Sequence, residues 1–447
     1  MGDALVVRGT VYQAPTPHSL EVLEDVVVAV NALGVIRAVH AADSADGRDA
    51  ISGALHLVEL SSSQRLLPGL IDTHIHAPQW PQLGTGLDIP LDKWLFEYTF
   101  PLEARYADAG FADDVWNRMV PTLLRHGTTT AVYYGTVHNE ATARLASACV
   151  RYGQRAFVGR VGMDHEQGTP EWYRDSSASA GLAASAQSID EIRAIDAGAG
   201  LVQPIITPRF APACSDELLN GLGDLAASSG VLVQTHCSES DWEHGYAFER
   251  FGVSDTVALQ RFGLIRDHSV LAHGDHLGDS DLAILAAVGA GVAHCPLSNA
   301  YFANAVFPLR RALANGVRVG LGSDVAGGAH PGLLPQCGHA VTASRYLEDG
   351  VHAGLAADIR GVTESRVDAV TAFYVATAGG ADLVGINSGV LKPGNVFDAI
   401  VVDTDSRMSG LHFYEDIDNH ERLFEKIVRL AGPEDFTSVW VDGQRVA

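Results

Sequence analysis

The chain has 447 residues, and its 54 acidic against 30 basic side chains leave a formal net charge of -24. That surplus repels phosphate backbones and anionic lipid, and no basic stripe with interleaved aromatics relieves it, so nucleic acid and acidic membrane surfaces are excluded as partners. The length exceeds what one hydrophobic core usually supports, which predicts a main domain and a smaller one.

In chain order, the stretches 4–7, 26–30 and 35–39 read as strands. Apolar runs then occur at 70–72, 130–134, 156–161, 201–207, 231–235, 269–272, 291–293 and 317–322. Eight runs match an eight-stranded barrel. Between them lie Ala-rich and Leu-rich segments with helical spacing, such as EATARLASACVRYG from Glu140 and DELLNGLGDLAASSG from Asp216. Each closes on a glycine suited to helix termination, so strand and helix alternate. The Ala/Ser-rich stretch 176–188 reads as a surface helix or loop. Further strands at 399–402 and 439–446, the latter around an Asp442-Gly443 turn, close the chain. The expected division is an α/β barrel over 67–385, with 1–66 and 386–447 folding together beside it.

No stretch approaches the roughly 20 apolar residues that span a bilayer, and the N-terminus lacks a basic run followed by an apolar signal core. The five cysteines, at 149, 214, 237, 295 and 337, form no CxxC pair and are odd in number. A soluble, cytoplasmic protein with reduced thiols is therefore expected, with no membrane partner and no thiolate zinc site. Lysine occurs only at Lys93, Lys392 and Lys426. No barrel strand from the second onward carries one, which removes Schiff-base chemistry and a carboxylated lysine bridging two metals. The glycine-rich GLGSDVAGG fails as a dinucleotide loop because Val325 takes the last glycine position. Neither a GxSxG elbow nor a phosphate-loop sequence is present.

In a closed parallel barrel the active site lies at the C-terminal strand ends. The eight runs deliver there His74 with His76, then His138, Asp164, Arg209, His236 with Glu239, His273, His294 and Asp324. With 19 histidines in the chain, an HxH triplet arises by chance about once, so its context has to carry the weight. On a strand, positions i and i+2 face the same side, so His74 and His76 can grip one ion together. Catalytic zinc takes nitrogen and oxygen ligands and keeps a position open for water. His236, after VLVQT, and Asp324, after VGLGS, complete such a set. Singly, each of the four is as readily a strand-end residue bonded to backbone; at strand ends one, five and eight together they point to ligation. His273 and His294 can reach the same mouth, His273 with the stronger claim.

PGLIDTHIH ending at His76, HCSE from His236, AHG around His273 and GLGSDVAGG around Asp324 resemble the amidohydrolase superfamily. Within it, HIHAPQ from His74, IPLDKWLFEYTFPLEARYAD from Ile89, HGTTTAVYYGTVH from His126 and TPRFAP from Thr207 are similar to guanine deaminases. The match runs through nearly the whole barrel and fades across 329–366. The resemblance implies a distorted (β/α)8 TIM barrel, a small β-sandwich domain formed from both termini, one zinc ion per subunit and a homodimer. It also implies hydrolysis of guanine to xanthine and ammonia, a step of purine metabolism. Under it His74, His76, His236 and Asp324 hold zinc, with Asp324 also taking a proton from water. Glu239 shuttles protons, His273 orients the attacking water, and Gln79, Arg209 and Phe210 contact the purine. Alternatives are the same chemistry on 8-oxoguanine, a pterin, ammeline or cytosine, dechlorination of a triazine, or a binding protein that has lost turnover.

Overall fold

Eight strands, Leu70–His76, Thr128–Tyr134, Arg155–Gly159, Val202–Pro208, Leu232–Cys237, Val270–His273, Gly291–His294 and Arg318–Leu321, run parallel and close into a barrel. They coincide with the eight apolar runs. Most are buried along their whole length, the condition that makes parallel strands read as continuous apolar runs and not as alternating ones. Two seams are thin. The eighth strand meets the first through Leu321 and Asp72, and the fourth meets the fifth through Ile205 with Leu232 and Ile206 with Val233. The computed structural model describes residues 3–406 and 410–447.

Helices separate the strands where the spacing places them. Asn139–Tyr152 ends on Gly153 at φ 72°, and Asp216–Ser229 ends on Gly230 at φ 67°, a left-handed conformation that glycine adopts without a Cβ clash. Ser215 starts the second of these by accepting from the Leu218 N–H. The Ala/Ser-rich stretch is part of a helix, Ala178–Asp196, capped by Ser177. Among the described residues no helix is long and apolar enough to cross a membrane.

Both termini meet in one eight-stranded sheet separate from the barrel. Leu5–Thr16, Ser19–Val30, Ile36–Ala41, Leu57–Glu59 and Gln64–Pro68 come from the N-terminal side; Ala399–Asp403, Phe436–Val441 and Gln444–Arg445 come from the C-terminal side. The expected turn stands between the last two strands, with Asp442 at φ 48° and Gly443 at φ 71°. Gln64–Pro68, which apolar patterning does not single out, joins the two halves: it pairs with Leu5–Thr16 on one side and Ala399–Asp403 on the other. Val7 and Val28 share one apolar cluster with Phe397, Val401 and Trp440, so the halves pack on each other. Arg155, at the start of the third barrel strand, donates to Asp398 beside the C-terminal strands and so ties sheet to barrel.

Candidate active site

His74 and His76 occupy the last turn of the first strand's pleat, both buried. The Asp72 carboxylate accepts from the backbone N–H of His74 at 3.2 Å and of Ser323 at 3.0 Å, and the Asp324 N–H donates to the His74 carbonyl at 2.9 Å. The first and eighth strand ends are thereby stitched together despite their thin pairing. Gly322 permits this approach, since a Cβ there would lie 2.8 Å from Cys295 Sγ and 2.9 Å from His74 Cβ.

The four expected ligands converge. Asp324 Oδ1 stands 3.1 Å from His74 Nε2 and 3.6 Å from His76 Nε2, and His76 Nε2 is 3.0 Å from His236 Nε2. The His236 Nδ1–H donates to the Arg209 carbonyl at 2.6 Å, which leaves its Nε2 as the lone-pair end. Burial first, then mutual proximity, holds the pKa values of His74, His76 and His236 well below the ordinary range, so all three are neutral. Ligand atoms of the three lie within 4.8 Å of one another, and His74 Nδ1, His74 Nε2 and His76 Nδ1 are buried without a hydrogen-bond partner. Three neutral buried imidazoles clustered beside one carboxylate, one of them with no hydrogen-bond partner at either nitrogen, fit a divalent cation.

His273 ends the sixth strand at φ 74° and Asp324 sits at φ 46°, both in the left-handed region that side-chain-bearing residues rarely enter. Backbone held there at a site needs surrounding structure to impose it. The His273 ring is held from behind: Asn299 donates to the Asp275 carboxylate at 2.7 Å, and its carbonyl oxygen faces His273 Nδ1 at 2.9 Å. The proton therefore sits on Nδ1, and Nε2, which has no partner of its own, points at Glu239 Oε1 3.7 Å away. Burial, with Asp324 nearby, pushes the Glu239 carboxyl well above the usual carboxylate range.

His76, His236, Asp324 and Glu239 line one cavity together with Gln79, Arg209 and Phe210, and the buried rings of His74 and His273 stand 4.9 and 5.4 Å from that of His236. Leu91, Trp94, Leu95 and Phe302 supply the cavity's apolar walls. Gln79 belongs to the 3-10 turn Ala77–Gln82 that follows the first strand, and Arg209 and Phe210 follow the fourth. The residues expected to hold metal, move protons or contact substrate thus gather at this cavity or against its lining. Asp164, His138 and His294 do not. Asp164 accepts from the N–H and hydroxyl of Ser215, the cap of Asp216–Ser229; His138 begins Asn139–Tyr152 and faces the Tyr173 ring at 5.9 Å; His294 packs on Phe307 at 5.2 Å.

Sequence reading missed Glu103 and Asn299. Glu103 accepts from both Arg209 and Gln79. It lies in the loop that carries the resemblance, yet nothing in that loop separates it from Glu97, which is exposed. Asn299 opens no strand end; it lies on the helix Pro296–Phe302 after the seventh strand.

Known proteins place this arrangement. Residues 65–446 match the Amidohydrolase family. The guanine deaminase of Dictyostelium discoideum is 35% identical over 387 residues, 85% of this chain and 82% of that one. That of Mus musculus is 32% identical over 452 residues, 99% of this chain and 96% of that one. Among solved structures, the guanine deaminase of C. acetobutylicum with bound guanine in its active site superposes with a TM-score of 0.86 at 26% identity, covering 98% of this chain and 99% of that one. The barrel, the clustered histidines and the long match to these relatives agree: this chain belongs to the amidohydrolase family and, within it, to the guanine deaminases.

Proposed function

We propose that the protein hydrolyses guanine to xanthine and ammonia, using one zinc ion per subunit held by His74, His76, His236 and Asp324. The observation that carries this reading is one cavity lined by His76, His236, Asp324 and Glu239 together with Gln79, Arg209 and Phe210. Zinc held by those four residues, His74, His76, His236 and Asp324, would supply an activated water, its pKa lowered from about 15.7 to near 7.

The protein's own groups do the rest. His273 presents Nε2 as an acceptor, because Nδ1 is committed to Asn299, and so orients the attacking water. Asp324 takes a proton from that water. The Glu239 carboxyl, pushed well above the usual carboxylate range by burial, delivers a proton to the ring nitrogen beside C2, which makes C2 more electrophilic. Oxygen bonds to C2; a proton passed to the exocyclic amine then lets the C2–N bond break. One water is consumed and one ammonia leaves. Arg209 donates to the purine carbonyl, Gln79 offers a donor and an acceptor along the base edge, and Phe210 packs on the ring.

We further read the chain as a barrel domain over 67–385 and a β-sandwich from 1–66 and 386–447, working as a cytoplasmic homodimer in purine metabolism. The test of function is ammonia release from guanine by zinc-loaded protein, with a chelated control and with adenine, cytosine and 8-oxoguanine alongside. Metal-dependent release from guanine is expected. Release from another base alone would keep the chemistry and discard the roles of Gln79 and Arg209.

A further inference from the structure

Glu103 lies outside the reaction just described, yet it is the most heavily bonded carboxylate near it. It is fully buried, and Arg209 beside it is 2% exposed. Arg209 donates to its Oε2 at 2.6 Å and to its Oε1 at 3.1 Å; Gln79 Nε2 donates to Oε1 at 3.0 Å, and the Tyr173 hydroxyl to Oε2 at 3.0 Å. Gln79 is held from its other end as well, its carbonyl accepting from the Ala326 N–H at 3.2 Å. One carboxylate thus fixes both Arg209 and Gln79, the two polar side chains of the lining proposed to contact substrate.

It also sets their charge. A buried guanidinium with its fork free is a receptor for carboxylate, phosphate or any planar anion. Here the fork is already filled from within, and the pair is neutral. The remaining N–H donors of Arg209 can meet a carbonyl, but the site gains little from a negative ligand.

Building on the reading above, we propose that Glu103 is a positioning residue that fixes Arg209 and Gln79 and keeps their edge of the cavity uncharged, so that the site selects a neutral amino-lactam over purine anions. A residue that only supported the fold would weaken all ligands alike. A charge-balancing residue, once removed, weakens neutral ligands and strengthens anionic ones.

Calorimetric titration of the zinc-loaded protein with hypoxanthine, a neutral lactam with no amine to lose, and urate, a monoanion at neutral pH, separates the two. Glu103→Gln is expected to weaken hypoxanthine and tighten urate, each by roughly tenfold or more, at unchanged zinc content. Tyr173→Phe removes one bond to the carboxylate without altering charge; it is expected to weaken hypoxanthine less and to leave urate unimproved. Parallel weakening of both ligands in Glu103→Gln would overturn the proposal. If that variant does not fold, Glu103→Asp keeps the charge but shortens the reach: hypoxanthine is expected to weaken with urate unchanged, and tighter urate would overturn the proposal. Absence of ammonia release from guanine by the unaltered protein would refute the substrate reading, whereas the binding ratio tests Glu103 without turnover.

Discussion

His273 and Asn299 are joined by a 2.9 Å bond that decides which imidazole nitrogen carries the proton. With Nδ1 donating, Nε2 is left bare toward the cavity, 3.7 Å from Glu239. Asn299→Leu keeps the side-chain size but frees the ring to change tautomer and orientation. Partners that orient a site imidazole are typically worth 10- to 100-fold in activity, so kcat is expected to fall by about that factor with KM changed less. Steady-state kinetics that leave kcat intact would show that the ring is set by something other than Asn299.

Glu239 is assigned to proton transfer and stands outside the ligand set. Glu239→Gln is expected to lower kcat by roughly 10² to 10⁴ while the protein still binds one equivalent of zinc. Metal analysis beside the kinetics checks both halves; lost zinc would make Glu239 a ligand.

Removal of the metal tests the cluster as a whole. Chelation is expected to abolish ammonia release and zinc to restore it. Because the site forms only in the folded chain, zinc at about 100 times its Kd should add about 2.7 kcal/mol of stability, seen as a higher Tm. His76→Ala should lose most of that gain, and a Tm indifferent to zinc in the unaltered protein would refute the site.

Arg209 and Glu103 form a buried pair, and removing one partner strands the other charge. Arg209→Ala is expected to cost about 3 to 5 kcal/mol in urea unfolding, more than its lost contacts alone would, as well as most turnover on guanine. The double variant with Glu103→Leu should recover part of the stability and none of the turnover. If the double variant is less stable than Arg209→Ala, the pair is not acting as one unit.

His294 carries a pH signature. Burial, with His273 nearby, pulls its pKa down from the ordinary 6.5 to about 3. The unfolded chain therefore takes up a proton that the folded chain refuses, so this contribution to stability is present above pH 6.5 and is lost as pH falls toward 3. At pH 5 the loss is roughly 2 kcal/mol relative to pH 7. His294→Leu should flatten the stability curve across that window by a comparable amount; an unchanged slope would show that other groups govern it.

The barrel strands, the alternation with helices and the Asp442-Gly443 turn were legible because each rests on neighbours in sequence: an apolar run long enough for a strand, a glycine where a helix must stop, two residues able to take positive φ. His74 and His76 were legible for the same reason, since a strand's period of two places them on one face. Asp164 and His294 stand at strand ends as well, but the tertiary structure turns one to a helix cap and the other to Phe307. Nothing local distinguishes them from Asp324.

What only the tertiary structure decided is which polar groups meet. Glu103 and Arg209 are separated by 106 residues and Gln79 and Ala326 by 247, yet they share one buried network. Such contacts are chosen by barrel closure, which brings the loop after the first strand against the ends of the fourth and eighth. Sequence determined the elements and the candidate histidine and aspartate donors, because periodicity and chemistry act over a few residues. Closure of the sheet determined the partners, tautomers and charge balance, because those depend on burial and on distances that no local pattern encodes.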